Sequence, residues 1–158
     1  RTYGRIFNIF RFTDVKKGEG SWMTQATSNA SNNGTVAIGN ACNGEIMILP
    51  VTRKSDGKPM HLALQSVPYG PARTNVTIYY KGLEAPADYA TPAALAANWE
   101  GRHQSSFMSS GYSTMTLQRD GKIGFFFEES TFAGKDYTLV YKRYTIETIT
   151  GGLYELRD

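Results

Sequence analysis

The residues of this 158-residue chain with the most distinctive chemistry are a tyrosine, an arginine and glutamates. Tyr112 stands in Gly111-Tyr112-Ser113-Thr114-Met115-Thr116, and Glu128 closes the run Ile123-Gly124-Phe125-Phe126-Phe127-Glu128 after an Asp120-Gly121-Lys122 turn. Arg73 follows Gly70-Pro71-Ala72. A guanidinium is planar, permanently charged and able to grip a carboxylate with two parallel hydrogen bonds. A phenol, with an ordinary pKa of about 10, is nearly unionised at neutral pH, so a nucleophilic tyrosine needs a carboxylate within reach to take its proton. By residue type, Glu45 and Glu128 qualify. Each of these residues also has an ordinary structural reading. In a chain with ten tyrosines, one of them is usually a core or rim residue, an arginine is usually a surface charge, and Glu128 beside Glu129 fits a solvent-facing strand end. The one cysteine, Cys42, cannot form an internal disulfide and reads as a buried filler. His61 and His103 lack the spacing of a zinc site, and Trp22 and Trp99 read as core or loop anchors.

The elements that must hold these residues are strands. Runs rich in aromatic and β-branched residues occur at 5–12, 45–51, 60–67, 75–80, 112–117, 123–127 and 137–144. Turn signals separate them: Lys17-Gly18-Glu19-Gly20, Asn32-Asn33-Gly34, Ser55-Asp56-Gly57-Lys58, Arg119-Asp120-Gly121-Lys122 and Gly134-Lys135-Asp136. The pattern predicts an all-β chain of antiparallel meanders. Only residues 91–98 break it, where Thr91 as N-cap, Pro92 at the first helical position and the following alanines predict a short helix inside a loop. The spacing suits blades of four antiparallel strands better than a sandwich, and at roughly 40–50 residues per blade the chain supplies about three. A ring of so few cannot close, so either the remaining blades lie upstream or the chain is not a propeller.

Composition narrows the function classes. Seventeen Lys+Arg against fourteen Asp+Glu leave a formal charge of +3, too weak a bias to point to nucleic acid. With 41% hydrophobic and 20% charged residues the chain can bury a core and does not read as disordered. No apolar run approaches the roughly 20 residues that span a bilayer, so membrane insertion is not expected.

Four stretches together resemble one family. They are Gly111 to Glu128 as quoted above; Gly70-Pro71-Ala72-Arg73 with Thr74-Asn75-Val76-Thr77-Ile78-Tyr79; Asn40-Ala41-Cys42-Asn43-Gly44-Glu45-Ile46; and Thr13-Asp14-Val15-Lys16-Lys17-Gly18-Glu19-Gly20-Ser21-Trp22. Taken in chain order they resemble the C-terminal half of the catalytic six-bladed β-propeller of the sialidase (neuraminidase) superfamily, in its bacterial exo-sialidase branch. The stretch Thr13 to Trp22 is similar to an Asp-box with two extra residues before its glycine pair. The resemblance covers almost the whole chain, as one propeller portion over residues 1–158.

The resemblance implies an exo-α-sialidase, a retaining glycoside hydrolase with Tyr112 as nucleophile and Arg73 binding the sialic acid carboxylate. Glu128 would orient an arginine of the carboxylate-binding triad, and Arg1 is the candidate for that triad's second arginine. The first triad arginine, the aspartate acid/base and the glutamate that activates the tyrosine would lie upstream, in the N-terminal half of the same propeller. The isolated segment would then be inactive. The substrate would be a sialylated glycan, the location secreted or periplasmic, and no metal or organic cofactor is implied. The chemistry agrees with the roles: a carboxylate on the anomeric carbon would repel an Asp or Glu nucleophile, whereas a neutral phenol avoids that repulsion. The competing expectations are a carbohydrate-binding propeller without catalysis and a glycosidase for another keto acid sugar. Asn29, Asn33 and Asn75 lie in Asn-x-Ser/Thr sequons, read as incidental because a glycan on Asn75 would crowd Arg73.

Overall fold

The computed structural model describes residues 4–36, 42–130 and 136–157. Arg1 lies outside the described residues, as do Asn40, Ala41, Gly134 and Lys135 of the motifs above. In chain order come β1 (Arg5–Phe7), β2 (Phe10–Asp14), β3 (Glu19–Trp22), β4 (Ala26–Ser28), β5 (Ile46–Arg53), β6 (Lys58–Pro68) and β7 (Val76–Leu83). Then follow α1 (Pro92–Ala96), β8 (Gly101–Gln104), β9 (Ser110–Leu117), β10 (Ile123–Ser130), β11 (Tyr137–Tyr144), α2 (Ile146–Thr150) and β12 (Tyr154–Leu156). The fold is all-β with antiparallel sheets, one of them curled like half a barrel. Five strands form one sheet in the order β12-β5-β6-β7-β8, and three form a second in the order β11-β10-β9. Two smaller sheets pair β1 with β4 and β2 with β3. Among the described residues no helix is long and apolar enough to cross a membrane.

Alternation along the paired strands divides the large sheet into two faces. Register pairs Met47 with Leu64 and Leu64 with Tyr80, and likewise Leu49 with Leu62. This face, with Val51 and Ile78, packs on Met115, Ile123, Phe125 and Phe127 of the three-stranded sheet to make the main core. The opposite face presents Ala63, Val67, Tyr79 and Leu83, covered by Phe7, Val36, Leu95 and Trp99. Because β6 and β7 are covered on both sides, Leu62-Ala63-Leu64-Gln65-Ser66-Val67 is buried without a break and shows no polar alternation. Lys81 lies in this two-sided interior at 4% exposure, and its Nζ donates to the carbonyls of Ala94 and Ala97 at the end of α1, both at 2.5 Å. Burial pushes its pKa below the ordinary lysine range.

Local signals account for the connections. Asp56 and Asp120 head the two Asp-Gly-Lys hairpins, each accepting the N–H two residues on (3.2 and 3.4 Å), with Gly57 and Gly121 in the left-handed region. Asp14 accepts the N–H groups of Lys16 and Lys17 (3.0 and 3.2 Å), and the stretch from Thr13 to Trp22 forms the turn of the β2–β3 hairpin and its second strand. The expected helix at 91–98 is present as α1, capped by Thr91 on the Ala94 N–H at 3.1 Å.

Several boundaries differ from expectation. The run 5–12 is two strands, because β1 pairs with β4 while β2 turns back on β3. Asn75 precedes β7 with φ of 61° and is no part of a strand, so it does not share a strand face with Arg73. Strands β8 and β12 and helix α2 were absent from the expectation. Helix α2 is capped by Thr145 and stopped by Gly151 at φ of 64°, and it seats Ile146 and Ile149 in the main core. Trp99 is in the core as expected, whereas Trp22 is 69% exposed and touches only the hairpin's own Phe10 edge-on among the described aromatic rings.

Two glycines are constrained for different reasons. A methyl group on Gly44 would lie 1.7 Å from the Ser66 carbonyl oxygen, whereas Gly57 has open space around it and only its positive φ to protect. Gly57→Ala should cost about 1–2 kcal/mol, the left-handed penalty. Gly44→Ala should cost more than that, because the backbone itself must move. Paired thermal and urea unfolding of the two variants would check the order, and equal costs would contradict the packing of Gly44 on Ser66.

Candidate active site

Strand β9 carries Tyr112, and a β-bulge sets its direction. Phe127 pairs with Ser113 and Glu129 with Ser110, so Glu128 alone faces two residues, Gly111 and Tyr112. The bulge removes the Tyr112 N–H from the ladder, and Glu128 Oε2 accepts it at 3.0 Å. Gly111 makes this possible, since a methyl group there would lie 2.2 Å from the same oxygen. Bulges of this kind re-aim side chains beside functional sites. The phenol ring of Tyr112 is consequently 47% exposed and borders a shallow depression of about 180 Å³ shared with Phe126 and Leu139.

Arg73 reaches the same place from the β6–β7 loop. Its guanidinium carbon lies 5.5 Å from the centre of the Tyr112 ring. Cys42 first, and then a hydrogen bond with the Tyr112 hydroxyl, hold the Arg73 pKa above its ordinary value. The loop is fastened to the segment that leads into β9: the Ser110 N–H donates to the Arg73 carbonyl at 2.7 Å, and the Asn75 N–H donates to Met108 at 3.2 Å. Asn75 closes the loop with its amide, donating to Gly70 at 2.7 Å and accepting from Gln104 at 3.0 Å. A glycan would replace one of the two Nδ2 hydrogens, which are engaged by the Gly70 carbonyl and the Thr74 hydroxyl. Ala72, at φ of 50°, holds a left-handed conformation that is costly for a residue with a Cβ.

Cys42 is buried, as expected, and its surroundings tie the site together. Burial pushes its thiol pKa up, the Arg73 and Arg5 guanidiniums pull it back, and the Glu128 carboxylate raises it again. Arg5, Arg73 and Glu128 are thus the charges that act on this buried thiol. Arg5 was not singled out in the sequence. It alternates with buried Phe7 on β1, so period two was the signal that turned it inward. Its guanidinium lies over Gly44, where a methyl group would be 3.5 Å from Nη2, and burial lowers its pKa against the pull of Cys42.

Glu45 has a different task. Its Oε2 accepts the Met115 N–H at 2.9 Å and the Thr114 hydroxyl, while the Glu45 N–H donates to Ser66 Oγ at 3.0 Å. Ser113 Oγ donates to the same Ser66 hydroxyl at 2.9 Å. Glu45 thus ties the start of β5 to β9. Among the described residues no carboxylate hydrogen-bonds the Tyr112 hydroxyl. The site combines two cations, one carboxylate and an exposed phenol, which suits it to a monoanionic ligand.

Gly111 and Glu128 should act as one unit. Gly111→Ala displaces the carboxylate from the Tyr112 N–H, and Glu128→Ala removes it, so each should cost about 1.5–3 kcal/mol, as for a charged hydrogen bond. The double variant should cost little more than Glu128→Ala alone, and additive losses in urea unfolding would contradict the coupling. Neither a protein-family model nor a curated protein matches the chain, so its function is read from the chemistry of these residues.

Proposed function

We propose that the chain is the C-terminal part of an exo-α-sialidase that removes terminal sialic acid with retention of configuration. The observation that carries this is the contact of the Arg73 guanidinium with the Tyr112 ring at the bulge that exposes it. Arg73, with Arg5 behind it, receives the sugar carboxylate and sets the anomeric carbon beside the Tyr112 hydroxyl. The bond from Tyr112 Oη to the anomeric carbon forms as the glycosidic C–O bond breaks. The phenol proton passes to an activating carboxylate, and the departing oxygen takes a proton from an acid; both groups are expected upstream. Water then attacks from the face that the departing oxygen left, its proton passing to the group that served as acid, while the tyrosine leaves and regains its proton from the activating carboxyl; two inversions give retention.

The sheet order supports the architecture behind this reading. Strands β5 to β8 form a four-stranded meander in chain order, and β9 to β11 form a second that packs face to face on it, as neighbouring propeller blades do. A secreted or periplasmic location follows from a substrate on glycoconjugates. The competing reading is a carbohydrate-binding propeller that keeps the Arg73 clamp and lacks the catalytic groups expected upstream.

The test uses a protein that includes the sequence upstream of Arg1. Tyr112→Phe removes one oxygen and keeps the ring, so turnover of an aryl sialoside should fall by several orders of magnitude. Arg73→Lys keeps the charge and loses the planar fork, so a sialic acid transition-state analogue should bind about 1–3 kcal/mol more weakly. Near-normal turnover with retention in Tyr112→Phe would remove the tyrosine from the mechanism. Sialic acid binding without hydrolysis in the parent would favour the binding propeller.

A further inference from the structure

A separate cleft of about 410 Å³ opens between the 30–36 loop and the connection from β7 to β8, large enough for one sugar ring. Arg102 lies on its wall. The guanidinium carbon stands 4.2 Å from the centre of the Tyr69 ring and 6.0 Å from that of Tyr79. Stacking occupies the face of a guanidinium; one in-plane N–H meets the Tyr79 hydroxyl, and the other N–H groups of the fork are left for a ligand. No carboxylate pairs with Arg102 among the described residues. Glu100 also lines the cleft, but its two oxygens are taken by the Gly82 N–H at 2.6 Å and the Tyr154 hydroxyl at 2.8 Å.

Trp99 supplies an independent observation. It lines the same cleft at 5% exposure, and its indole Nε1 has no acceptor among the described residues. A buried donor in that condition is rare, because removing an N–H from water without a replacement acceptor is unfavourable. The stacked guanidinium and the unpaired indole N–H belong to residues that line one cleft, and a polar ring carrying a carboxylate for the first and further acceptors for the second suits both. We infer that this cleft is a second binding site, built on Arg102 and Trp99, for a carboxylated monosaccharide. It goes beyond the sialidase reading and does not depend on it, since neither residue takes part in the proposed reaction.

The test is a titration of the chain followed by the indole N–H resonances. There are two tryptophans, and Trp22→Phe assigns the pair. Methyl β-D-glucuronide should shift the Trp99 resonance saturably, while methyl β-D-glucoside, which has the same ring without the carboxylate, should leave it in place. Arg102→Gln should weaken the glucuronide response at least about tenfold, the scale of one charge-assisted hydrogen bond. Arg73→Lys should not change it, which separates this site from the proposed catalytic one. An unmoved Trp99 resonance, equal response to the glucoside, or unchanged affinity in a folded Arg102→Gln variant would each overturn the inference.

Discussion

Strands β6 and β7 are covered on both faces, and a sheet buried on both faces cannot slip. Moving either strand by one residue would exchange the side chains of two cores at once, sending Leu62 and Leu64 toward α1 and Ala63 and Lys81 toward the phenylalanines of β10. That constraint fixes where the β6–β7 loop leaves the sheet, and therefore where Arg73 stands. It also fixes the three-stranded sheet, because Phe125 and Phe127 fill the space above Leu62 and Ile78 and so set the height of β9.

Between these two anchored pieces the site is assembled by main-chain bonds. The Arg73 carbonyl accepts the Ser110 N–H, and two residues later the bulge turns Tyr112 outward. Two glutamates bracket β9, Glu128 on the Tyr112 N–H and Glu45 on the Met115 N–H, so the strand is held on both sides of the tyrosine. The left-handed Ala72 costs about 1–2 kcal/mol in an unconstrained chain. Its persistence here shows that the surrounding bonds outweigh it, a pattern found where backbone strain serves a site.

The strands of the core were legible because their apolar runs are long and bounded by Asp-Gly turns, and α1 was legible because Thr91 and Pro92 mark its start. The short elements were not. Strand β8 has four residues, Gly-Arg-His-Gln, with no apolar alternation, and it exists because Tyr79 and Tyr80 offer it an edge. Helix α2 carried its capping threonine and terminal glycine in plain sight, but the β-branched Ile146, Thr148, Ile149 and Thr150 have strand rather than helix propensity. At the site, Tyr112 and Arg73 could be named from their motifs, and the structure brings them together. Arg5 could not, since a charged residue opening an apolar strand gives no sign of the buried thiol at residue 42, on which Arg73 and Glu128 also act. These interactions join segments far apart in sequence, and only the packing of β1 beside the large sheet brings Arg5 into them.

The central claim is that the Tyr112 oxygen forms a covalent bond to a sialic acid held by Arg73. The most direct measurement is peptide mapping by mass spectrometry after the protein with its upstream sequence is incubated with a 2,3-difluorinated sialic acid, which forms the glycosyl intermediate and slows its hydrolysis. The account predicts one sialosyl adduct on the peptide containing Tyr112, lost in Tyr112→Phe and slowed in Arg73→Lys. An adduct on a carboxylate, or hydrolysis of sialosides with no adduct at Tyr112, would contradict it.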